Sequence, residues 1–134
     1  MLPGSLREVI RAALSATPGL ELGFVFGSVA RGTTGPGSDL DVAVFGTVDT
    51  LELAGRLSLA TDREVDIVKL EDAPIPLLEA ILSEGIALFE REPGAEASFR
   101  SRTLLMLEID RSLYDRMHEA WLTRVAERGI LGQS

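Results

Sequence analysis

Apolar positions along this chain switch between a helical and an extended period, and the switches mark its elements. Leu6, Val9, Ile10, Ala13 and Leu14 recur at helical spacing, opened by Ser5-Leu6-Arg7-Glu8, which has the form of a capping box. Thr17-Pro18-Gly19 ends that helix. Leu20 to Phe26 reads as a buried strand, and Gly27-Ser28 turns it into a short helical segment with Ser28 as candidate N-cap. Thr33-Thr34-Gly35-Pro36-Gly37 is a loop by composition, and Asp39 to Phe45 is a second strand. Asp49 caps the next helix, which carries Leu51, Leu53, Ala54, Leu57 and Leu59 and runs to about Ala60. Glu64 to Leu70 predicts a third strand with Glu64, Asp66 and Val68 on one face and Val65, Ile67 and Lys69 on the other.

Pro74-Ile75-Pro76 begins a helix with Leu77, Leu78, Ile81 and Leu82 on its apolar side, Gly85 stops it, and Ile86 to Phe89 is a short last strand. From Pro93 to Arg128 no breaker interrupts the chain, which predicts one long helix or two with a bend. In that tail Met106, Ile109, Leu113, Met117, Trp121 and Val125 fall near helical spacing, a face for packing on the chain's own core or, alternatively, for a partner or a homodimer seam. Alternating helices and strands place the chain in the α/β (α+β) class, with no repeat or low-complexity tract. The expected organisation is a core over residues 1–91 and a helical extension over 92–134 packed on it as a single compact domain, with Arg91 to Ala95 as the joint.

Composition narrows the function classes. The 134 residues suffice for one domain with its own core, and an apolar share of 46 % predicts a folded globule rather than disorder. No apolar run is long enough to span a membrane, the N-terminus lacks the regions of a signal peptide, and cysteine is absent, all of which fit a cytoplasmic protein. The net charge of −8 is unevenly spread: residues 39–90 carry twelve acids against three bases, whereas residues 91–134 carry seven of each. A general nucleic-acid binder needs a basic surface for phosphate neutralisation, which this chain does not offer.

The acidity concentrates where the chemistry-bearing residues lie. Asp39 and Asp41 occupy alternate positions of an apolar strand, on one face with α-carbons about 6.6 Å apart. Asp66 stands between Val65 and Ile67 in another apolar strand, where an unpartnered ionised carboxylate is costly. If the two strands are neighbours, three carboxylates face one crevice. Such a set suits hard divalent cations, and two of them about 3.5–4 Å apart stabilise the attacking and leaving oxygens of an in-line displacement. Gly27 leaves room for a phosphate, and Ser28 offers amide and hydroxyl donors at the start of a helical turn. Arg31 could pair with phosphate or dock on a local carboxylate, and Ser38 could bond a phosphate or cap its loop.

The run Gly27-Ser28-x-Ala30-Arg31-Gly32, five residues, then Ser38-Asp39-x-Asp41 resembles the signature of the DNA polymerase beta-like nucleotidyltransferase superfamily, and within it the minimal nucleotidyltransferases (MNT). Val65-Asp66-Ile67-Val68, with Pro76, Ile81, Glu84-Gly85 and Leu88 behind it, resembles the same group, so the likeness covers residues 5–91. The resemblance implies a small mixed sheet flanked by helices, two magnesium ions, and a nucleoside triphosphate, usually ATP. It implies that Asp39 and Asp41 hold both metals, that Asp66 holds the catalytic metal and helps to deprotonate the acceptor hydroxyl, and that Gly27 and Ser28 bind the triphosphate.

Small MNT proteins of this length resemble the antitoxins of HEPN/MNT toxin–antitoxin pairs, which transfer AMP to a tyrosine of the HEPN ribonuclease. This chain has no Arg-x4-His-x-Tyr motif around His118, its only histidine, so the toxin is expected to be a separate protein and His118 a surface or interface residue. Two alternatives stand beside this expectation. One is transfer to a small hydroxylated molecule, for which the 43 residues after Arg91 leave little room for a substrate domain. The other is an antitoxin that neutralises its partner by binding alone.

Overall fold

The computed structural model describes residues 3–32 and 39–128. The chain divides into two compact units, residues 1–98 and 99–134. In the first, a four-stranded sheet holds β1 (Leu20–Phe26), β2 (Leu40–Gly46), β3 (Val65–Lys69) and β4 (Ile86–Glu90) in the order β3-β2-β1-β4. β1 runs antiparallel to both β2 and β4, whereas β2 and β3 are parallel, joined by the crossover helix α3 (Thr50–Thr61). The sheet is therefore mixed, as the family resemblance implies. Helix α1 (Gly4–Ser15) precedes it, the five-residue α2 (Gly27–Arg31) follows β1, and α4 (Ile75–Glu84) precedes β4. Among the described residues no helix is long and apolar enough to cross a membrane.

Alternation in the strands builds the core. Leu40, Val42 and Val44 of β2, Leu20 and Val25 of β1, Ile10 and Leu14 of α1 and Leu53 and Leu57 of α3 share one buried cluster. Leu20 and Val25 can serve one cluster despite their odd separation because the β1–β2 register slips between Leu20 and Leu22, a bulge that re-aims the strand. Gly23 lets Leu14 pack close on β1, since a Cβ there would lie 2.9 Å from Leu14 Cδ1 and push that side chain aside. Polar ties reinforce the layer: Arg56 Nη2 on α3 donates to Thr17 Oγ1 at 2.7 Å, and Thr17 Oγ1 donates to Ala13 O at 2.8 Å. Arg11 Nε donates to Leu88 O at 3.1 Å, binding α1 to β4.

Several termini differ from expectation. Ser5 is not a cap: α1 begins one residue earlier behind Pro3, with Arg7 N on Pro3 O at 2.9 Å, so Ser5 lies inside the first turn. Ser28 is not a cap either, since extended Phe26 takes that position. Asp49 does cap α3, accepting from Glu52 N at 3.1 Å, and the helix runs one residue past Ala60 before Asp62 leaves it at φ 55°. Gly85 follows α4 as expected, but in an extended conformation (φ −69°), so handedness is not what requires it. A Cβ there would stand 2.4 Å from Ile81 O. Arg91 is bound to the sheet, with Nε on Leu20 O at 2.8 Å and its guanidinium 5.1 Å from the centre of the Phe89 ring.

The tail is one helix rather than two, α5 (Ala95–Arg128), of 34 residues. Of its apolar side chains, Leu104, Leu105, Met106, Ile109 and Leu122 are exposed. The other members of the expected stripe, Leu113, Met117, Trp121 and Val125, and also His118, have side chains outside the described set.

Because Leu53 is fully buried and fixes α3 on the sheet, Leu53→Ala is expected to lower stability by about 2–5 kcal/mol. Urea unfolding followed by circular dichroism measures it.

Candidate active site

The register of the parallel pair decides the site. Leu40 lies opposite Val65 and Asp41 opposite Asp66, so these two carboxylates hold matched positions on adjacent strands. Matched positions of a parallel pair project to the same face, with backbones about 4.8 Å apart. Leu40 N donates to Glu64 O at 2.8 Å, which pins the start of both strands. With Leu40, Val42 and Val44 committed to the core, alternation sends Asp41 to the opposite face, and Asp39 stands exposed just ahead of β2. Asp66 is exposed and Asp41 half-buried.

Asp41 registers the others electrostatically. Its carboxyl is held above its ordinary range, first by partial burial, then by the negative charges of Asp66 and Asp39, against a smaller downward pull from Arg31. Asp39, Asp66 and Arg31 therefore all act on Asp41 at one corner of the sheet. A second contact was not legible in the sequence. Phe26 pairs with Asp41 across β1 and β2, and Gly27 follows at φ 75°. A Cβ on Gly27 would stand 2.6 Å from Asp41 Oδ2. Glycine is thus favoured by the backbone, and any side chain there would push the Asp41 carboxylate aside, whereas the sequence suggested only an approaching phosphate.

Ser28 lies in the first turn of α2, half-buried beside Gly27. Arg31, in the last turn, pairs with a carboxylate far along the chain rather than a local one. Its Nη1 lies 2.7 Å from Oε2 of Glu84 at the end of α4, with both side chains roughly half exposed. Sequence reasoning did not count Glu84 among the site residues, and a pair separated by 53 positions leaves no local signal. Ser38 lies outside the described residues.

Beyond Asp66, a cavity of about 540 Å³ opens between α3 and the edge strand β3. Asp39, Glu64, Val65 and Asp66 line one side, and Ala54, Gly55 and Ser58 of α3 line the other. The donor set fits a divalent cation: it is all carboxylate oxygen, and the mutual repulsion felt at Asp41 is what a bound cation relieves. Among the described residues no group of three acidic, histidine or cysteine side chains is arranged so that it could hold a metal ion by itself.

The comparisons agree with this geometry. Residues 8–94 match the family model for the polymerase beta nucleotidyltransferase domain. This chain belongs to that family. Among curated nucleotidyltransferases it is 32% identical over 106 residues to the protein adenylyltransferase MntA of Shewanella oneidensis strain MR-1, covering 75% of this chain and 76% of that one. A solved toxin–antitoxin structure with AMP-PNP superposes at a TM-score of 0.70 and 28% identity, over 87% of this chain and 98% of its own. Another, of a tri-AMPylated Shewanella oneidensis HEPN toxin in complex with its MNT antitoxin, gives 0.66 and 25%, over 88% and 97%. The mixed sheet with its flanking helices is accordingly a nucleotidyltransferase fold.

Two outcomes follow from the corner. Since the folded state holds the Asp41 proton more tightly than the unfolded chain does, stability is full below the ordinary carboxylate range and falls as pH rises through the raised value. Asp41→Asn is therefore expected to raise the thermal midpoint of the metal-free protein at pH 7.5, with the gain vanishing towards acid pH. Calorimetric scans in EDTA across that range measure it. Gly27→Ala should lower the midpoint by steric and backbone strain, in the same assay.

Proposed function

We propose that this chain is a magnesium-dependent adenylyltransferase that moves AMP from ATP to a side-chain hydroxyl, a tyrosine, of a HEPN-type ribonuclease toxin, and so acts in the cytoplasm as its antitoxin. The observation that carries the reading is the pairing of Asp41 with Asp66, which gathers the carboxylates beside Gly27. Its similarity to an adenylyltransferase, and to antitoxins solved with a HEPN toxin, supports the choice of nucleotide and partner.

In this reading Asp39, Asp41 and Asp66 would together hold the two magnesium ions. Magnesium supplies charge neutralisation for the attacking and leaving oxygens of the displacement. Gly27 and Ser28 receive the triphosphate, and Arg31, held by Glu84, adds a cation at the same end. Ser38 serves the phosphates from the loop before β2. The acceptor oxygen bonds to the α-phosphorus as the bond to the bridging oxygen breaks. Pyrophosphate leaves, and Asp66 takes the hydroxyl proton.

Asp39→Asn and Asp66→Asn are each expected to lower AMP transfer to the HEPN partner by about 10²–10³-fold or more, the scale of losing one preorganised charge partner. Capture of the partner should persist. Intact mass spectrometry of the partner after incubation with MgATP reads the transfer. Full transfer by Asp39→Asn would refute the catalytic reading, and a variant that transfers nothing yet protects cells as well as the wild type would favour neutralisation by binding.

A further inference from the structure

The parts of the site follow one another along the sheet. Gly27 closes β1, Asp41 lies beside it on β2, and Asp66 lies beyond Asp41 on β3. The cavity of about 540 Å³ continues the series on the β3 side, and neither Gly27, Ser28 nor Arg31 lines it. In an in-line displacement the attacking oxygen enters opposite the leaving group. With the pyrophosphate end of ATP at Gly27 and Ser28, the acceptor must arrive from the side of β3.

We propose that the cavity between α3 and β3 is the acceptor port, taking a hydroxyl-bearing aromatic side chain presented by a protein segment, with the oxygen directed at Asp66. The inference rests on the function proposed above. The α3 wall carries Ala54, Gly55 and Ser58, none larger than serine. Glycine inside a helix costs about 1 kcal/mol against alanine. No packing of α3 requires it at position 55, since a Cβ there would meet nothing within 4 Å. What its absent side chain preserves is open volume, of a size that lies within the range of about 300–1,000 Å³ typical of organic ligand pockets. Glu64, which the metal set does not use, adds a negative charge to the wall. It favours an acceptor segment with lysine or arginine beside the hydroxyl.

Gly55→Leu fills the port from α3, with Gly55→Ala as control. The full chain would be assayed for AMP-PNP affinity with magnesium, for hydrolysis of ATP to AMP and pyrophosphate with water as acceptor, and for AMP transfer to the HEPN partner and to tyrosinamide. Gly55→Leu is expected to keep AMP-PNP affinity and hydrolysis within about twofold, while transfer to both acceptors falls about 100-fold or more. Glu64→Gln should raise the KM for the partner and leave kcat unchanged. Undiminished transfer by Gly55→Leu overturns the port, and loss of AMP-PNP affinity assigns the cavity to the nucleotide instead. Transfer to tyrosinamide but not to the HEPN partner, abolished by Gly55→Leu, supports the port and rejects the partner. A wild type that modifies neither acceptor rejects both.

Discussion

One register holds the site together: β2 and β3 run parallel with Asp41 opposite Asp66. Side chains in a strand alternate faces, so a slip of one residue would bury a carboxylate or separate the pair. The register is fixed by apolar commitments rather than by the carboxylates. Leu40, Val42 and Val44 are fully buried on the core face, and the crossover helix between the strands is anchored there by Leu53 and Leu57. Glu64 O accepts from Leu40 N at the shared start. The core specifies where the acids stand, although the acids oppose one another.

That opposition is the local conflict the fold tolerates. Partial burial and two negative neighbours work against ionised Asp41, with only Arg31 among the identified influences easing it. A side chain on Gly27 would displace that carboxylate from its place. Arg31 is itself tied to Glu84 on α4, so a cation at the corner is stationed by an element distant in sequence. Departures from local consistency gather where function is expected to lie.

Much of this was legible in the sequence, because the informative features are local. Strand periods, the Asp49 cap and the spacing of Asp39 and Asp41 depend on neighbours a few residues away, and the resemblance of the Gly27–Asp41 run supplied the sheet type. The missed features are those set by distant packing. Ser5 and Ser28 have the composition of caps, yet Pro3 and Phe26, each two residues earlier, hold those positions. Gly85 does stop α4 as read, but the reason, clearance of the Ile81 carbonyl, appears only in the fold. The Arg31–Glu84 pair, the Gly27–Asp41 contact and the α3 wall of the cavity exist only once the sheet has formed.

The carboxylate corner also changes what a ligand does to this protein. It is assembled by the folded sheet and dispersed in the unfolded chain, so a cation–nucleotide complex that settles it binds only the native state. At a hundred times its Kd such a ligand adds about 2.7 kcal/mol to stability. That is a large share of the roughly 5–15 kcal/mol that holds a domain together. A ligand settling there would by the same linkage also slow proteolysis of the chain, since cleavage draws on the unfolded state that the ligand depletes.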